Sequence, residues 1–134
     1  MYSAEPWRRY YVVCCEAIVD FWWSRFLRPG YRHCYVLIWD GAVWQHIDPV
    51  MERVHVAILD HYEPTHPAAW IEDPTARVFE AIPESVSGTP WMAGPITCVE
   101  IVKRVMGIRK WWIWTPWQLA QYLRAKRRGT ESQE

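Results

Sequence analysis

The sequence predicts a small single-domain α+β protein in which an antiparallel sheet of about three to five strands packs against helices. The chain has 134 residues, of which 51% are hydrophobic, so it is long enough to bury one core. The Asp40-Gly41 pair joins two runs rich in aromatic and β-branched residues, which is a strong hairpin signal. Helical patterns lie before and after the strand-like runs, and this order is typical of the α+β class.

The first element is predicted as a helix over residues 10–27, because its apolar residues fit a helical pattern and Arg28-Pro29-Gly30 would end it. Thr115 is predicted to be the N-cap of the last helix, and Pro116 its first residue. The other predicted elements are strands over 31–39, 42–47, 54–59 and 76–82, loops over 60–75 and 83–95, and helices over 97–106 and 116–126. The domain is expected to span residues 1–128, followed by a polar flexible tail over 129–134.

Charge and composition exclude several function classes. The formal net charge is zero and the isoelectric point is about 7.0, so no nucleic-acid partner is expected. The N-terminus has no signal-peptide pattern, and Glu16, Asp20 and Arg25 interrupt the apolar run 10–27. We therefore expect no membrane span and a cytoplasmic location. The four cysteines fit neither a disulfide framework nor a paired zinc motif, which favours a reducing compartment.

The tryptophan content is high for the chain length. Eleven tryptophans occur in 134 residues. They predict either a core filled with large side chains or an exposed aromatic surface that binds a partner. The pairs Trp22-Trp23 and Trp111-Trp112, with Trp114, are too dense for every ring to be buried.

Cys98 is the first candidate for a chemical role. It follows a proline-containing loop and Thr97, and it opens an amphipathic segment that ends at Gly107. The thiol would thus lie in the first turn of a helix, with Thr97 as the cap. Unsatisfied N–H groups and the helix dipole favour the thiolate there, and the thiolate is the nucleophilic form.

The hairpin supplies a histidine and an acid. A two-residue turn at Asp40-Gly41 would place Tyr35 opposite His46, and His33 opposite Asp48. Directly opposite side chains are about 5 Å apart at Cβ, which is hydrogen-bonding range for imidazole and carboxylate. His33 would then be the base for Cys98, Asp48 would orient the ring, and the Cys98 N–H would stabilise an oxyanion.

Each candidate residue also has a structural interpretation. Cys98 could be an inert core thiol, His33 a hydrogen-bonded structural histidine, and Asp48 a residue that closes a turn. His46 shares the face of His33 and is a candidate supporting group or alternative base. A metal site from His33, His46, Asp48 and Cys98 lacks any known ligand spacing, so neither a metal nor another cofactor is expected. Cys34 points to the opposite strand face from His33 and is expected in the core.

The order of these motifs resembles a known superfamily. The residues that carry the resemblance are Tyr31-Arg32-His33-Cys34, Asp48 and Thr97-Cys98-Val99-Glu100. A histidine strand, an acid on the next strand and a later cysteine helix resemble papain-like enzymes in circularly permuted order. This is the arrangement of the permuted NlpC-type branch, which includes lecithin:retinol acyltransferase-like enzymes. The segment from 98 to 119 also resembles small phage- or prophage-borne proteins.

The resemblance implies thiol chemistry on an amide, ester or thioester, with Cys98 as nucleophile, His33 as base and Asp48 as orienting group. The chain departs from the lipid acyltransferases because it has no Asn-Cys motif and is not expected to carry their membrane anchor. A side-chain oxyanion donor is not evident, although Tyr31 and Gln45 are candidates.

The prediction is therefore a cysteine peptidase or amidase acting through an acyl-enzyme. The alternatives are an acyltransferase or thioesterase on the same triad, and a non-catalytic tryptophan-rich module that binds a protein partner.

Overall fold

The computed structural model describes residues 8–16, 27–50, 53–60, 62–84 and 98–131. The described elements are strands β1 (Arg9–Cys15), β2 (His33–Trp39), β3 (Trp44–Val50), β4 (Arg53–Leu59) and β5 (Arg77–Ala81), and helices α1 (Cys98–Met106) and α2 (Pro116–Glu131). A short 3₁₀ helix, Pro67–Ala69, interrupts the loop before β5. The α+β class is confirmed.

The sheet has the strand order β4-β3-β2-β1-β5, and every neighbouring pair is antiparallel. Strand side chains alternate between two faces. The helix side of the sheet buries Val12, Cys14, Cys34 and Val36 beneath α1 and α2. On the opposite side, Trp44 and its neighbours are covered by the loop before β5. The sheet therefore separates two hydrophobic cores.

The helix predicted over residues 10–27 is wrong for its first part, which forms β1. This strand lies between β2 and β5, and both of its faces are buried. A strand covered on both faces loses its alternation, so its pattern cannot be distinguished from that of a buried helix. The β-branched Val12 and Val13 and the aromatic Tyr10 and Tyr11 favour the strand. Residues 17–26 of the predicted helix lie outside the described residues.

The hairpin register differs from the prediction by two residues. Trp39 pairs with Trp44 rather than with Ala42, so β3 begins two residues later than expected. Asp40 closes the longer loop, because its Oδ1 accepts hydrogen bonds from the N–H groups of Ala42 and Val43, each 2.9 Å long. Gly41 has φ 101°, which favours glycine at this position. A shift of two leaves every side chain on its predicted face.

The start of α2 is confirmed, and its end is not. Thr115 Oγ1 accepts from the Gln118 N–H at 3.2 Å, while Gln118 Oε1 accepts from the Thr115 N–H at 3.1 Å. This reciprocal capping box fixes the helix at Pro116. The helix then continues to Glu131, beyond the predicted end at residue 126 and into the segment expected to be a tail.

The loop that connects α1 to α2 is anchored by one buried residue. Ile113 is fully buried, and its carbonyl accepts a 3.1 Å hydrogen bond from Lys103 Nζ, which also bonds Glu100. The flanking Trp111, Trp112 and Trp114 are 69%, 42% and 58% exposed. The loop therefore holds aromatic side chains at the surface. Within the described ranges, neither helix has the length and apolarity needed to cross a membrane.

Candidate active site

Cys98 is the first residue of α1, at the end of the sheet where β2 begins. Its side chain is half-buried and packs against the helix-side core. The first N–H groups of a helix have no partner within the helix, so the sulfur lies beside outward-pointing donors. The helix predicted over 97–106 is observed over Cys98–Met106; its predicted cap, Thr97, lies outside the described residues.

His33 and Asp48 are in contact. His33 Nε2 donates to Asp48 Oδ1 at 2.6 Å, and both side chains are about one-fifth exposed, at 20% and 21%. The predicted contact is confirmed although the predicted register is wrong. In the observed register the two residues are diagonal neighbours on one face, and long side chains reach across a diagonal. Because Nε2 is used by Asp48, Nδ1 remains for the Cys98 sulfur.

Several neighbouring groups stabilise the charged form of the Cys98 sulfur. Its pKa is lowered to about 5 by a hydrogen bond from the Cys34 thiol, against the opposing effect of burial, and further by the hydrogen bond and charge of His33. The Cys34 backbone N–H adds another donor. Each of these contacts stabilises the thiolate over the thiol. Cys98 is therefore ionised at neutral pH.

The His33 ring is held in its charged form. Burial is the largest single influence and lowers its pKa, but the Asp48 hydrogen bond and the hydrogen bond to Cys98 together raise that pKa to about 9. The negative charges of Cys98 and Asp48 act in the same direction. A thiolate–imidazolium pair is thus the resting state between about pH 5 and about pH 9.

His46 lies on the other side of Asp48. Its Nε2 is 3.8 Å from Asp48 Oδ2, too far for a hydrogen bond, and the Tyr35 ring packs edge-on against it at 4.7 Å. Burial lowers the pKa of His46, and this effect outweighs the attraction of Asp48. His46 is therefore a neutral neighbour of the carboxylate, and its geometry favours the supporting role over that of base.

The two candidate oxyanion donors are held elsewhere. The Tyr31 hydroxyl accepts a 2.8 Å hydrogen bond from Arg124 of α2, and its ring packs on Trp117. Gln45 Nε2 donates to Asp40 at 3.0 Å, at the turn end of the hairpin. Gln45 is about 10 Å along β3 from Asp48. Neither contact favours the predicted role, so the backbone N–H of Cys98 is the better candidate.

Cys34 is the site residue that sequence reasoning missed. The prediction that it is a core residue is confirmed, because its exposed fraction is 0%. Its thiol nevertheless interacts with the Cys98 sulfur and lowers the pKa of Cys98. Successive strand residues point to opposite faces, yet His33 and Cys34 both reach Cys98 because His33 is the first residue of β2. Only the packing of α1 on the sheet end reveals this contact.

A concavity elsewhere does not belong to this site. It lies between β5 and the C-terminal end of α1, lined by Ile82, Met106 and Leu123 among others. Cys98 is at the opposite end of α1, about 12 Å away along the helix axis. Within the part of the chain that the structure describes, no three His, Cys, Asp or Glu side chains are grouped to hold a metal ion.

Comparison with known proteins adds no assignment: the chain matches no protein-family model, no curated protein and no solved structure at a significant level.

Proposed function

We propose that the protein is a cysteine hydrolase that cleaves amide bonds through an acyl-enzyme on Cys98. The observation that carries the proposal is the convergence of the Cys98 thiol, the His33 ring and the Asp48 carboxylate at one end of the sheet. A lowered thiol pKa beside a raised histidine pKa is the pairing that nucleophilic catalysis by cysteine requires.

The proposed reaction follows from these positions. The Cys98 thiolate attacks the carbonyl carbon of the substrate, and the Cys98 N–H stabilises the oxyanion. The imidazolium of His33 gives its proton to the leaving amine as the carbon–nitrogen bond breaks. His33, now neutral, takes a proton from water, which attacks the thioester and releases the acid. Asp48 keeps the ring oriented throughout.

The arrangement of the chain is consistent with a permuted papain-like enzyme. The histidine is on β2, the acid on β3, and the cysteine helix follows both. We propose membership of the permuted NlpC-type branch on this order and on the three residues. The proposed assignment implies peptides or other amides as the substrate class.

The surface beside the site favours an extended peptide. Strand β4 is an edge strand, and Val54, Val56 and Ile58 are well exposed along it. Val56 pairs with Ile47, which packs into the helix-side core, so this row lies on the α1 side of the sheet. An edge strand offers unpaired backbone groups to an extended chain, and the apolar row offers contacts for alternate side chains.

The test is hydrolysis of a library of fluorogenic peptide amides by the full chain. Turnover should fall about 10⁴-fold or more in Cys98→Ala and His33→Ala. Cys14→Ala is the matched control, because Cys14 is a buried thiol of the same core that the mechanism does not use. Equal activity in wild type and Cys98→Ala would refute the proposal, provided thermal melting confirms that both proteins fold.

The second candidate activity is that of an acyltransferase or thioesterase that uses the same three residues. An amine or alcohol acceptor added to the assay distinguishes it, because a transferase would form the acylated acceptor in preference to the free acid. Val56→Asp provides a further comparison. It should raise KM for peptides and leave small esters unaffected if the β4 row binds an extended chain.

A non-catalytic binding module is the other candidate, and the exposed Trp111, Trp112 and Trp114 favour it. Tryptophan is one of the residues enriched at binding hot spots. This reading predicts that a partner of the wild-type chain is lost in Trp111→Ala and retained in Cys98→Ala. The hydrolase reading predicts the reverse pattern for turnover.

A further inference from the structure

Cys34 is a second thiol at the site that the proposed hydrolysis does not use. It is completely buried in the helix-side core, the Cys98 side chain packs against that same core, and the Cys34 thiol is the group that lowers the pKa of Cys98 most. Cys98 opens α1 and Cys34 follows the first residue of β2, so the two sulfurs join separate elements of the fold. A reactive thiol in contact with a second thiol is the arrangement that forms a disulfide after oxidation.

We propose that Cys98 and Cys34 form a reversible redox pair, in which a hydroperoxide oxidises Cys98 and Cys34 captures the product as an intramolecular disulfide. Formation of this disulfide does not depend on hydrolysis by Cys98.

The first step oxidises Cys98. Its thiolate attacks the terminal oxygen of the hydroperoxide, so a sulfur–oxygen bond forms and the oxygen–oxygen bond breaks. Sulfur loses two electrons and the peroxide gains them. The leaving alkoxide or hydroxide takes the proton of the His33 imidazolium and departs as an alcohol or water.

The second step consumes the sulfenic acid. The Cys34 sulfur attacks the Cys98 sulfur, the sulfur–sulfur bond forms, and the sulfur–oxygen bond breaks. The Cys34 proton and the released hydroxide leave as water. One hydroperoxide and two thiols thus give one disulfide, one alcohol or water, and one further water.

The two thiols have different environments, and this difference assigns their roles. Cys98 is half-buried and can be reached by a small oxidant, whereas Cys34 has no exposed surface. Burial raises the pKa of Cys34 well above its ordinary value, so Cys34 is a poor first nucleophile. Cys98 is therefore oxidised first and Cys34 resolves the product.

Cys14 is the competing thiol and the natural control. It pairs directly with Cys34 across β1 and β2, and its side chain is on the same face. Its thiol is fully buried and donates weakly to the Pro116 carbonyl at 3.8 Å. A linkage between Cys14 and Cys34 would need no contribution from Cys98, so it would contradict the proposal.

The experiment is peptide mapping of the full chain after a brief treatment with hydrogen peroxide. Trypsin separates Cys14 and Cys15, Cys34, and Cys98 into three peptides, residues 10–25, 33–53 and 78–103. We expect a linked pair of the last two, lighter than their sum by two hydrogens and restored to separate peptides by dithiothreitol. The same linkage should form in Cys14→Ala.

Cys34→Ser should lose the linkage, and Cys98 should then be trapped by dimedone and proceed to sulfinic acid. If this variant melts early, the wild-type and Cys14→Ala maps still decide the question. Oxidation of wild-type Cys98 to sulfinic acid with Cys34 free, or a Cys14–Cys34 linkage, would overturn the proposal. Fast alkylation of Cys98 without the linkage would refute the redox pair and leave the hydrolase standing.

Discussion

Alkylation of Cys98 should be nearly independent of pH across the neutral range. With a pKa of about 5, Cys98 is already thiolate there. At about pH 6, roughly nine-tenths of Cys98 is therefore thiolate. An ordinary cysteine with a pKa of about 8.5 is roughly 0.3% thiolate at the same pH. The thiolate fraction of Cys98 is thus roughly 300-fold larger. The intrinsic reactivity of its thiolate is roughly 25- to 55-fold smaller, because a thiolate of lower pKa is a weaker nucleophile. Cys98 should therefore react about tenfold faster than an ordinary thiol at about pH 6, and at a similar rate at about pH 7.

The assay is iodoacetamide labelling between about pH 4 and about pH 9, followed by mass spectrometry of each cysteine peptide. The wild-type rate should be half-maximal near pH 5. His33→Ala should move this midpoint upward, because the variant removes one hydrogen bond and the positive charge from the sulfur. His66→Ala is the matched control, since His66 is an exposed histidine of the loop before β5 and packs on Tyr11 rather than beside Asp48.

A Cys98 alkylation rate that climbs about tenfold per pH unit through neutrality would contradict the lowered pKa, because it would mean that the thiol is un-ionised there. A midpoint that His33→Ala leaves in place would contradict the contribution of His33 to that lowering.

Three other predictions concern the acid and the two cores. Asp48→Asn should lower the pKa of His33 from about 9, because it removes a charge and a hydrogen bond that favour the imidazolium, and NMR titration of the ring should show the shift. Trp44→Ala should cost about 3–5 kcal/mol in urea unfolding because the ring is fully buried, whereas the exposed Trp111→Ala should cost less than about 0.5 kcal/mol. Lys103→Met should cost about 1–3 kcal/mol in the same assay, because it leaves a loop carbonyl without its donor.

Each of these predictions has a contradicting result. An unchanged His33 titration in Asp48→Asn would mean that the carboxylate does not sustain the charged ring. An equal loss of unfolding free energy in Trp44→Ala and Trp111→Ala would show that the core around Trp44 does not stabilise the fold. Lys110→Met is the control for Lys103, since Lys110 is exposed; an equal loss there would show that the buried hydrogen bond is not the cause.

The hairpin shows why a site contact was predictable when the local geometry was not. The sequence signal at Asp40-Gly41 indicated a turn and two strands, but not the length of the turn. Since side chains alternate with a period of two, the error of two residues kept His33 and Asp48 on one face. An error of one residue would have separated them.

The residues that escaped prediction depend on tertiary packing. The strand at 9–15 has a continuous apolar pattern only because β2, β5 and two cores surround it. The contact between Cys34 and Cys98 forms because α1 begins over the first residues of β2. Neither fact is encoded in the spacing of residues along the chain. The helix start at Cys98 was predictable because its signals are local.

Catalysis by Cys98 is tested most directly by stopped-flow hydrolysis of an activated acyl ester, with peptide mapping of the intermediate. We predict a burst equal to the enzyme concentration, an acyl group on Cys98 alone, and continued turnover that His33→Ala abolishes after the burst. Acylation of another residue, or a wild-type acyl-Cys98 that never hydrolyses, would contradict the proposed Cys98–His33–Asp48 hydrolase.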